Sequence, residues 1–573
     1  MATVSAADRR RAQLVAEAVL ADASAAGLSL PPDLALWDLA GWGSAPPAGA
    51  VVPRAGGVLA DVLEDATPDA QRRVNGLHVT PAWLADDLVR RTLDGLAVPP
   101  GQVALCDPAC GGGAFLLAGA RALHARGMPR ATVVRELVWG ADVDPVGLAT
   151  AEAALALWAG EAPPPGRLVV GDALVGGGPL WPDRPVAGFA AVVGNPPFLN
   201  QLGRATTRTA ADAERLRARF GEAVQPYTDA AWLFLLLACE LVRPGGRVAL
   251  VEPLSLVAAR DARAVRSALH GRARLCDLWV DDGRSFAASV KVCAPVLEVG
   301  GGEGGGEGAG DPDRAWADRL ADATGVPAVR LSSASLVGDN AEVVAGFRDE
   351  YYGLVPLVRE AEAEVGSAID DAGALVTAGA LDWGRNRWSE RTTRFAKRSW
   401  RAPVVDLARF ARLEPDERTP IVRAGVRWVE RNRRPKVVVA SQTRVVEAAV
   451  DERGTWVPSV PVLAVVPLDP DPDELWRLAA AVAAPAATAW LFRRAPGTAL
   501  GRGALKVAAG DLSALPLPPE ADGEAWAAAA AALRTWTRTP SAAAFDAYVD
   551  AATAMYDSPP ALVAWWRGRL KGN

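Results

Sequence analysis

Lysine, histidine and cysteine are scarce in this chain, and each scarcity excludes something. Of 61 basic residues only five are lysine, at positions 291, 397, 436, 506 and 571; the rest are arginine. Alanine, glycine and proline are plentiful beside them, as GC-rich codons produce, so an arginine-rich stretch says less about nucleic acid here than it would elsewhere. The three histidines, His78, His124 and His270, are dispersed, which argues against a Cys/His zinc site and predicts no metal. The five cysteines, Cys106, Cys110, Cys239, Cys276 and Cys293, are odd in number and form no CxxC pair. A disulfide framework is not expected, and a reducing cytoplasm is. Long apolar runs are missing too. The longest, residues 230–242, is flanked and interrupted by acids and falls short of the roughly 20 residues that cross a bilayer. The N-terminus is amphipathic and carries acids, without a signal peptide's apolar core. No membrane role is expected.

What is present is a chain of 573 residues, 50% hydrophobic and 22% charged, a length that predicts two to four domains. The net charge of −6 speaks against a polyanionic partner, but the charge is unevenly spread. Residues 384–444 hold 17 Arg and Lys against six Asp and Glu, a net +11, so the remainder carries −17. Such segregation is an electrostatic footprint for a polyanion. Trp388, Phe395 and Trp400 lie among these arginines. A solvated surface of an arginine-biased protein has the same look.

Residues 1–73 read as a helical segment. From 74 to 299, short apolar runs alternate with helical stretches: 103–107, 136–142, 167–172, 189–195, 246–253, 275–282 and 290–299 read as strands. That alternation predicts an α/β domain with a mostly parallel sheet covered on both faces. Residues 300–312 are glycine-rich and read as a linker or loop. Residues 313–520 look mixed α+β, and 521–573 helical again.

Four strand ends carry chemistry. In DPACGGGAFLLA (107–118) an apolar strand ends in Asp107, then a glycine-rich turn leads into a helix. Glycines let a backbone approach a ligand closely, and the helix start offers unpaired N–H groups. The spacing is neither GxGxxG nor the Walker pattern. A plain strand–turn–helix joint looks similar. In WGADVDP (139–145), Asp142 ends a strand where, in doubly wound sheets, an acid accepts from ribose hydroxyls; Asp144 is its neighbour. In VVGDAL (169–174), Asp172 is placed to accept from an adenine amino group, although strand ends often carry Asp. The fourth, FAAVVGNPPFLN (189–200), runs a strand into Asn195, Pro196, Pro197 and Phe198. Two prolines fix φ and remove two backbone donors. What remains is a rigid pair of acceptors, the Asn195 side-chain carbonyl and the Pro196 backbone carbonyl, beside one aromatic face. That set suits a planar group bearing an NH2.

With these motifs in this order, the chain resembles the gamma-class S-adenosylmethionine-dependent N6-adenine DNA methyltransferases of restriction-modification and phage-defence systems. The resemblance covers about 74–299, with GLHVTPAWLADDLV (76–89) first, DPACGGGAF second and NPPF third. It implies a Rossmann-like class I methyltransferase domain followed by a C-terminal target-recognition domain, with S-adenosylmethionine as cofactor. By matching position, Thr80 and Pro81 would hold the carboxylate end of the cofactor. Asp107, Ala109, Gly111 and Gly113 would line its methionine part, Asp142 would hold the ribose and Asp172 the adenine. Asn195, Pro196, Pro197 and Phe198 would hold the target adenine, and Phe286 resembles a second aromatic wall; a plain core or loop Phe is the other reading of that residue. Phe198 stands where many members have Tyr, which keeps the stacking face.

The partner implied is double-stranded DNA in a bacterial cytoplasm, with Arg385, Arg387, Arg391, Arg394, Lys397, Arg398, Arg431, Arg433 and Arg434 as candidate contacts. Residues 1–73 are too short for an obvious fused nuclease, so restriction would need a separately encoded endonuclease or other defence subunit. Three other readings remain at this point: methylation of a protein glutamine, methylation of RNA adenine, and an inactive DNA-binding subunit.

Overall fold

The computed structural model describes residues 4–43, 59–67, 80–198, 210–225, 228–281, 291–300, 312–346, 348–361, 373–494, 505–519 and 523–570. Two compact units, Met1–Arg319 and Leu320–Asn573, make up the chain. The glycine-rich residues 301–311 lie outside the described residues, and the division between units falls just beyond them.

In the first unit, helices α1 (Ala6–Ala26), α2 (Ala35–Ala40), α3 (Leu59–Ala66) and α4 (Ala82–Leu93) precede β1 (Leu105–Asp107), α5 (Ala114–Ala125) and β2 (Val138–Asp142). Then come α6 (Pro145–Ala159), β3 (Leu168–Val170), β4 (Phe189–Gly194), α7 (Ala210–Phe220), α8 (Ala230–Leu241), β5 (Val242–Leu250), β6 (Glu252–Pro253), β7 (Ala273–Val280) and β8 (Val292–Val299). Strands β3, β2, β1, β4 and β5 lie side by side, all parallel. β8 runs antiparallel to β5, β6 and β7. β5 and β6 keep one register along β8, Arg247 opposite Glu298 and Glu252 opposite Cys293, so they are one interrupted strand on the same side, with β7 on the other. Every strand expected between 74 and 299 is present.

The sequence explains the layers. β4 is buried at every position, as a central parallel strand must be. α8 is apolar nearly all round, and eleven of its twelve residues are buried; such a helix belongs inside a protein rather than at its surface. α6 starts on an Asp144 cap with Pro145 at its first position and ends on Gly160 in the left-handed conformation, both standard termini. A core of Leu84, Leu88, Leu105, Leu116, Leu123, Val134, Leu155, Val193 and Val251 binds α4, α5 and α6 to one face of the sheet.

The N-terminal helices pack onto the sheet's helix layer. Val15, Val19, Leu36, Trp37 and Leu63 share a core with Val146, Ala149 and Ala153 on α6. Three helices of 21, 6 and 8 residues have too little apolar surface to stand alone, and they bury it against that layer.

The second unit holds two four-stranded sheets. One orders β19 (Glu447–Asp451), β17 (Lys436–Ala440), β21 (Val462–Pro467) and β9 (Ala341–Ala345), antiparallel throughout. The other orders β10 (Val358–Glu360), β16 (Pro403–Val405), β11 (Ala374–Val376) and β20 (Trp456–Pro458). The C-terminal helices, which the sequence pattern sets apart at 521–573, join this unit's main core instead. Tyr548 and Trp566 are fully buried there beside Trp383, with ring centroids 4.6 and 5.2 Å from it.

No single described helix is long and apolar enough to cross a membrane; one bent pair, Pro472–Ala483 with Pro485–Arg494, passes by length and composition. Both helices of that pair contribute to the same buried core.

Candidate active site

Loops at the carboxyl ends of β1, β2, β3 and β4 gather the expected residues, the position where open α/β sheets take ligands. Asp107 ends β1 almost wholly buried, at 1% exposure. Its Oδ1 accepts from the Ala109 N–H at 3.0 Å. Burial, with the nearby Asp142 charge adding to it, pushes this carboxyl up to about 8 despite that hydrogen bond. The chain then turns through Gly111 at φ +48° and Gly113 at φ +85°. A side-chain carbon on Gly111 would meet nothing within 4 Å, so the space over this loop is open to a ligand. One on Gly113 would lie 2.8 Å from the Ala151 Cβ. The first glycine leaves room for a guest; the second lets α5 start tight against α6.

Asp142 ends β2, and the N–H groups of Gly111, Asp144 and Val143 all bear on its carboxylate. Its Oδ2 accepts from the Gly111 N–H at 2.7 Å and its Oδ1 from the Asp144 N–H at 2.8 Å. A carboxylate has about four acceptor places, so acceptor capacity remains, and it suits the hydroxyls of a ribose. Burial, reinforced by the Asp144 charge, pushes this carboxyl up to about 6 against the pull of its N–H donors. Asp172, after β3, caps a single helical turn through the Leu174 N–H at 2.9 Å.

At the end of β4, Gly194 accepts from the Val251 N–H at 2.9 Å and holds the start of the Asn195–Phe198 segment to β5. Asn195 donates from Nδ2 to the Thr80 Oγ1 at 3.0 Å. An amide presents oxygen and nitrogen on opposite sides, so this bond turns the carbonyl oxygen of Asn195 away from Thr80. Phe198 packs half-buried against the core of the sheet. Pro81 is the N-cap of α4 and Thr80 precedes it; the four residues before them, 76–79, and Phe286 lie outside the described residues.

Two features escape a reading of the sequence. The first is the Thr80–Asn195 bond: 115 positions separate the two residues, and no local pattern announces it. The second is Arg11, which reaches Asp144 from α1 through Nη2 at 2.5 Å. Among the described residues no group of three or more His, Cys, Asp or Glu is placed to hold a metal.

The basic window sorts into different fates. Arg391 makes a two-bond fork to Asp382, at 2.9 Å each. Arg387 pairs with Asp382 and Glu390, and Arg385 with Glu390. All three line a cleft of about 830 Å³ together with Trp536 and Phe545. Lys436 is fully buried on Asp451, and Arg434 pairs with Glu342 at 2.5 Å. Arg394, Lys397 and Arg398, by contrast, are exposed on a hairpin of β14 (Thr393–Phe395) and β15 (Arg398–Trp400). Its two-residue turn, Ala396 and Lys397, has φ of +49° and +64°. Arg431 and Arg433 are exposed as well. The aromatics expected among the arginines are structural. Phe395 is buried, and the indoles of Trp388 and Trp400 donate to the Pro403 and Phe395 carbonyls.

Residues 66–272 match the family described as N-6 DNA Methylase. No curated protein matches the chain. Among solved structures, the chain is similar to the Type IIL restriction-modification enzyme MmeI in complex with DNA, at 13% identity and a TM-score of 0.53, over 93% of this chain and 83% of that one. It is also similar to the type IIG restriction endonuclease BpuSI (13% identity, 98% of this chain, 78% of that one, TM-score 0.40). A third match is the type I restriction-modification methyltransferase subunit from Streptococcus thermophilus (20% identity, 42% of this chain, 49% of that one, TM-score 0.32). The likeness to MmeI shows the fold alone.

Proposed function

From the N-6 DNA methylase segment at residues 66–272, with S-adenosylmethionine as its cofactor, we propose that this chain is a site-specific DNA methyltransferase acting on N6 of an extruded adenine within a restriction-modification system. The observation that carries the reading is the fixed Asn195 amide at the end of β4, beside Pro196 and Phe198. The cofactor fits the residues present: open space over Gly111, acceptor capacity remaining on Asp142, and a buried carboxyl on Asp107 beside them. It supplies an electrophilic methyl group on a sulfonium.

Everything else falls to the chain. Adenine N6 is a weak nucleophile because its lone pair is delocalised into the ring. The Asn195 carbonyl and the Pro196 carbonyl accept its two N–H groups, which returns electron density to nitrogen and favours a tetrahedral geometry. Asn195 and Pro196 would hold the nitrogen lone pair toward the methyl group that the cofactor would supply, and the amino proton would pass to water after attack, so no strong general base would be required. Alignment is the main demand. Thr80 meets it by holding the Asn195 amide, and its own hydroxyl proton remains to donate to a carboxylate. Extruding the base costs roughly a few kcal/mol, which stacking on Phe198 partly offsets.

The second unit would read the DNA. The exposed hairpin of Arg394, Lys397 and Arg398 supports phosphate contact, and the arginines held rigidly by Asp382 and Glu390 support directional reading of base edges. Asn195→Ala should abolish methyl transfer to duplex DNA while S-adenosylhomocysteine binding survives. Transfer at the parent rate by that variant would overturn the assignment.

A further inference from the structure

The methylase family match begins at residue 66, yet Arg11, well before it, reaches the loop that follows β2. This side chain is 2% exposed. It lies on the face of α1 that also buries Ala12, Val15 and Val19. Its guanidinium forks onto Asp144, Nη2 to Oδ2 at 2.5 Å and Nη1 to Oδ1 at 3.3 Å. Nη1 also meets Asp8 at 3.0 Å, and Nε donates to the Thr67 hydroxyl at 3.2 Å, which in turn donates to the Leu63 carbonyl. Two N-terminal helices therefore converge on one carboxylate through one arginine.

Asp144 is itself 7% exposed and sits two residues beyond Asp142. Its Oδ1 accepts from the Val146 N–H and caps α6. Its own N–H donates to Asp142 Oδ1, and the other oxygen of Asp142 takes the Gly111 N–H. A continuous path of hydrogen bonds thus runs from Arg11 through Asp144 to Asp142 and the glycine loop. Two buried carboxylates in adjacent turns repel each other. A bidentate guanidinium both neutralises Asp144 and fixes its plane, and with it the direction of the N–H that aims Asp142.

We propose that Arg11 is a positioning residue for the methyl donor: by locking Asp144 it holds Asp142 in the orientation that accepts the ribose hydroxyls, so the N-terminal helices are part of the cofactor site. The inference rests on the cofactor assignment above. It does not require Arg11 to touch the ligand, and it predicts a defect confined to the ribose.

The test uses the full chain and two probes, adenosine and 2′,3′-dideoxyadenosine, each measured by competition against S-adenosylhomocysteine. The parent should prefer adenosine. Arg11→Met should bind adenosine roughly tenfold more weakly with dideoxyadenosine unchanged, and should raise KM for the methyl donor more than it lowers kcat. Arg11→Lys keeps the charge but loses the fork, and should lose part of the same preference. It carries the test alone if Arg11→Met fails to fold. Failure of the parent to bind S-adenosylhomocysteine or to prefer adenosine would sink the cofactor reading itself. A preference for adenosine undiminished in whichever variant folds would overturn the role of Arg11 and leave the cofactor reading standing. An equal loss for both probes would also overturn it, because that is the signature of general destabilisation.

Discussion

Proton competition at Asp142 makes the cofactor site sensitive to pH, and the size of the effect follows from its surroundings. The carboxyl is pushed up to about 6, chiefly by burial. A ribose donates two hydrogen bonds to the ionised form; the protonated form has lost one acceptor place to its own proton. Roughly a tenth of Asp142 is ionised at pH 5 and roughly nine-tenths at pH 7. Affinity for adenosine should therefore rise by up to about tenfold between those two values and level off above pH 7. Adenosine is the right probe because it lacks the methionine end and does not engage Asp107. Asp142→Asn cannot titrate, so its weaker binding should be flat over the same range. The measurement is isothermal titration, or displacement of a fluorescent adenosine derivative, at half-unit steps. A parent whose affinity does not change from pH 5 to 7, or an Asp142→Asn variant with the parent's slope, would refute the reasoning.

Other consequences are as direct. Asp107 keeps its proton to about 8 in the fold but loses it near 4 when unfolded, so its contribution to stability is fully present below pH 4 and lost as pH rises through 8. Asp107→Asn removes that loss and should gain on the parent in urea denaturation between pH 5 and 8, by at most about 1.4 kcal/mol per pH unit; a constant difference would contradict this. Gly113→Ala combines φ of +85° with an approach of 2.8 Å to Ala151 and should cost about 2–4 kcal/mol in the same assay. Lys436, on Asp451 at 2.5 Å with no exposure, is structural: Lys436→Met leaves a buried carboxylate unpaired and should cost about 3–5 kcal/mol. Replacing Arg394, Lys397 and Arg398 together by Gln should lower the slope of log DNA affinity against log salt by about 0.9 for each phosphate that the hairpin neutralises. An unchanged slope would remove the hairpin from the interface.

The parts of this molecule legible in the sequence are those where chemistry is local. β1, β2 and β4 each end in an apolar run stopped by a polar signature, Asp107, Asp142 or Asn195, and position along the strand fixes where those side chains stand. The glycine turn is legible for the same reason, since φ of +85° at Gly113 demands the residue that is there. What stayed hidden depends on partners distant in sequence. Nothing in DRRRAQ marks the third arginine as buried on Asp144, 133 positions away. The +11 window likewise treats all cations as equal, yet Asp382, Glu342 and Asp451 claim several of them. Charge arithmetic counts residues; only the fold decides which face solvent. The packing of the helices at 521–573 was hidden for a related reason. A helical pattern shows periodicity, but not that Tyr548 and Trp566 fill the core around Trp383.

The central claim is the transfer of a methyl group to N6 of adenine in duplex DNA. The most direct measurement incubates the purified chain and its Asn195→Ala variant with S-adenosylmethionine labelled in the methyl group and with duplex DNA, RNA or protein. The products are then digested to nucleosides or amino acids. The account predicts label in N6-methyldeoxyadenosine from the duplex DNA arm, with the parent chain only. Label in methylated RNA adenine or glutamine, or DNA label that persists in the Asn195→Ala variant, would contradict it.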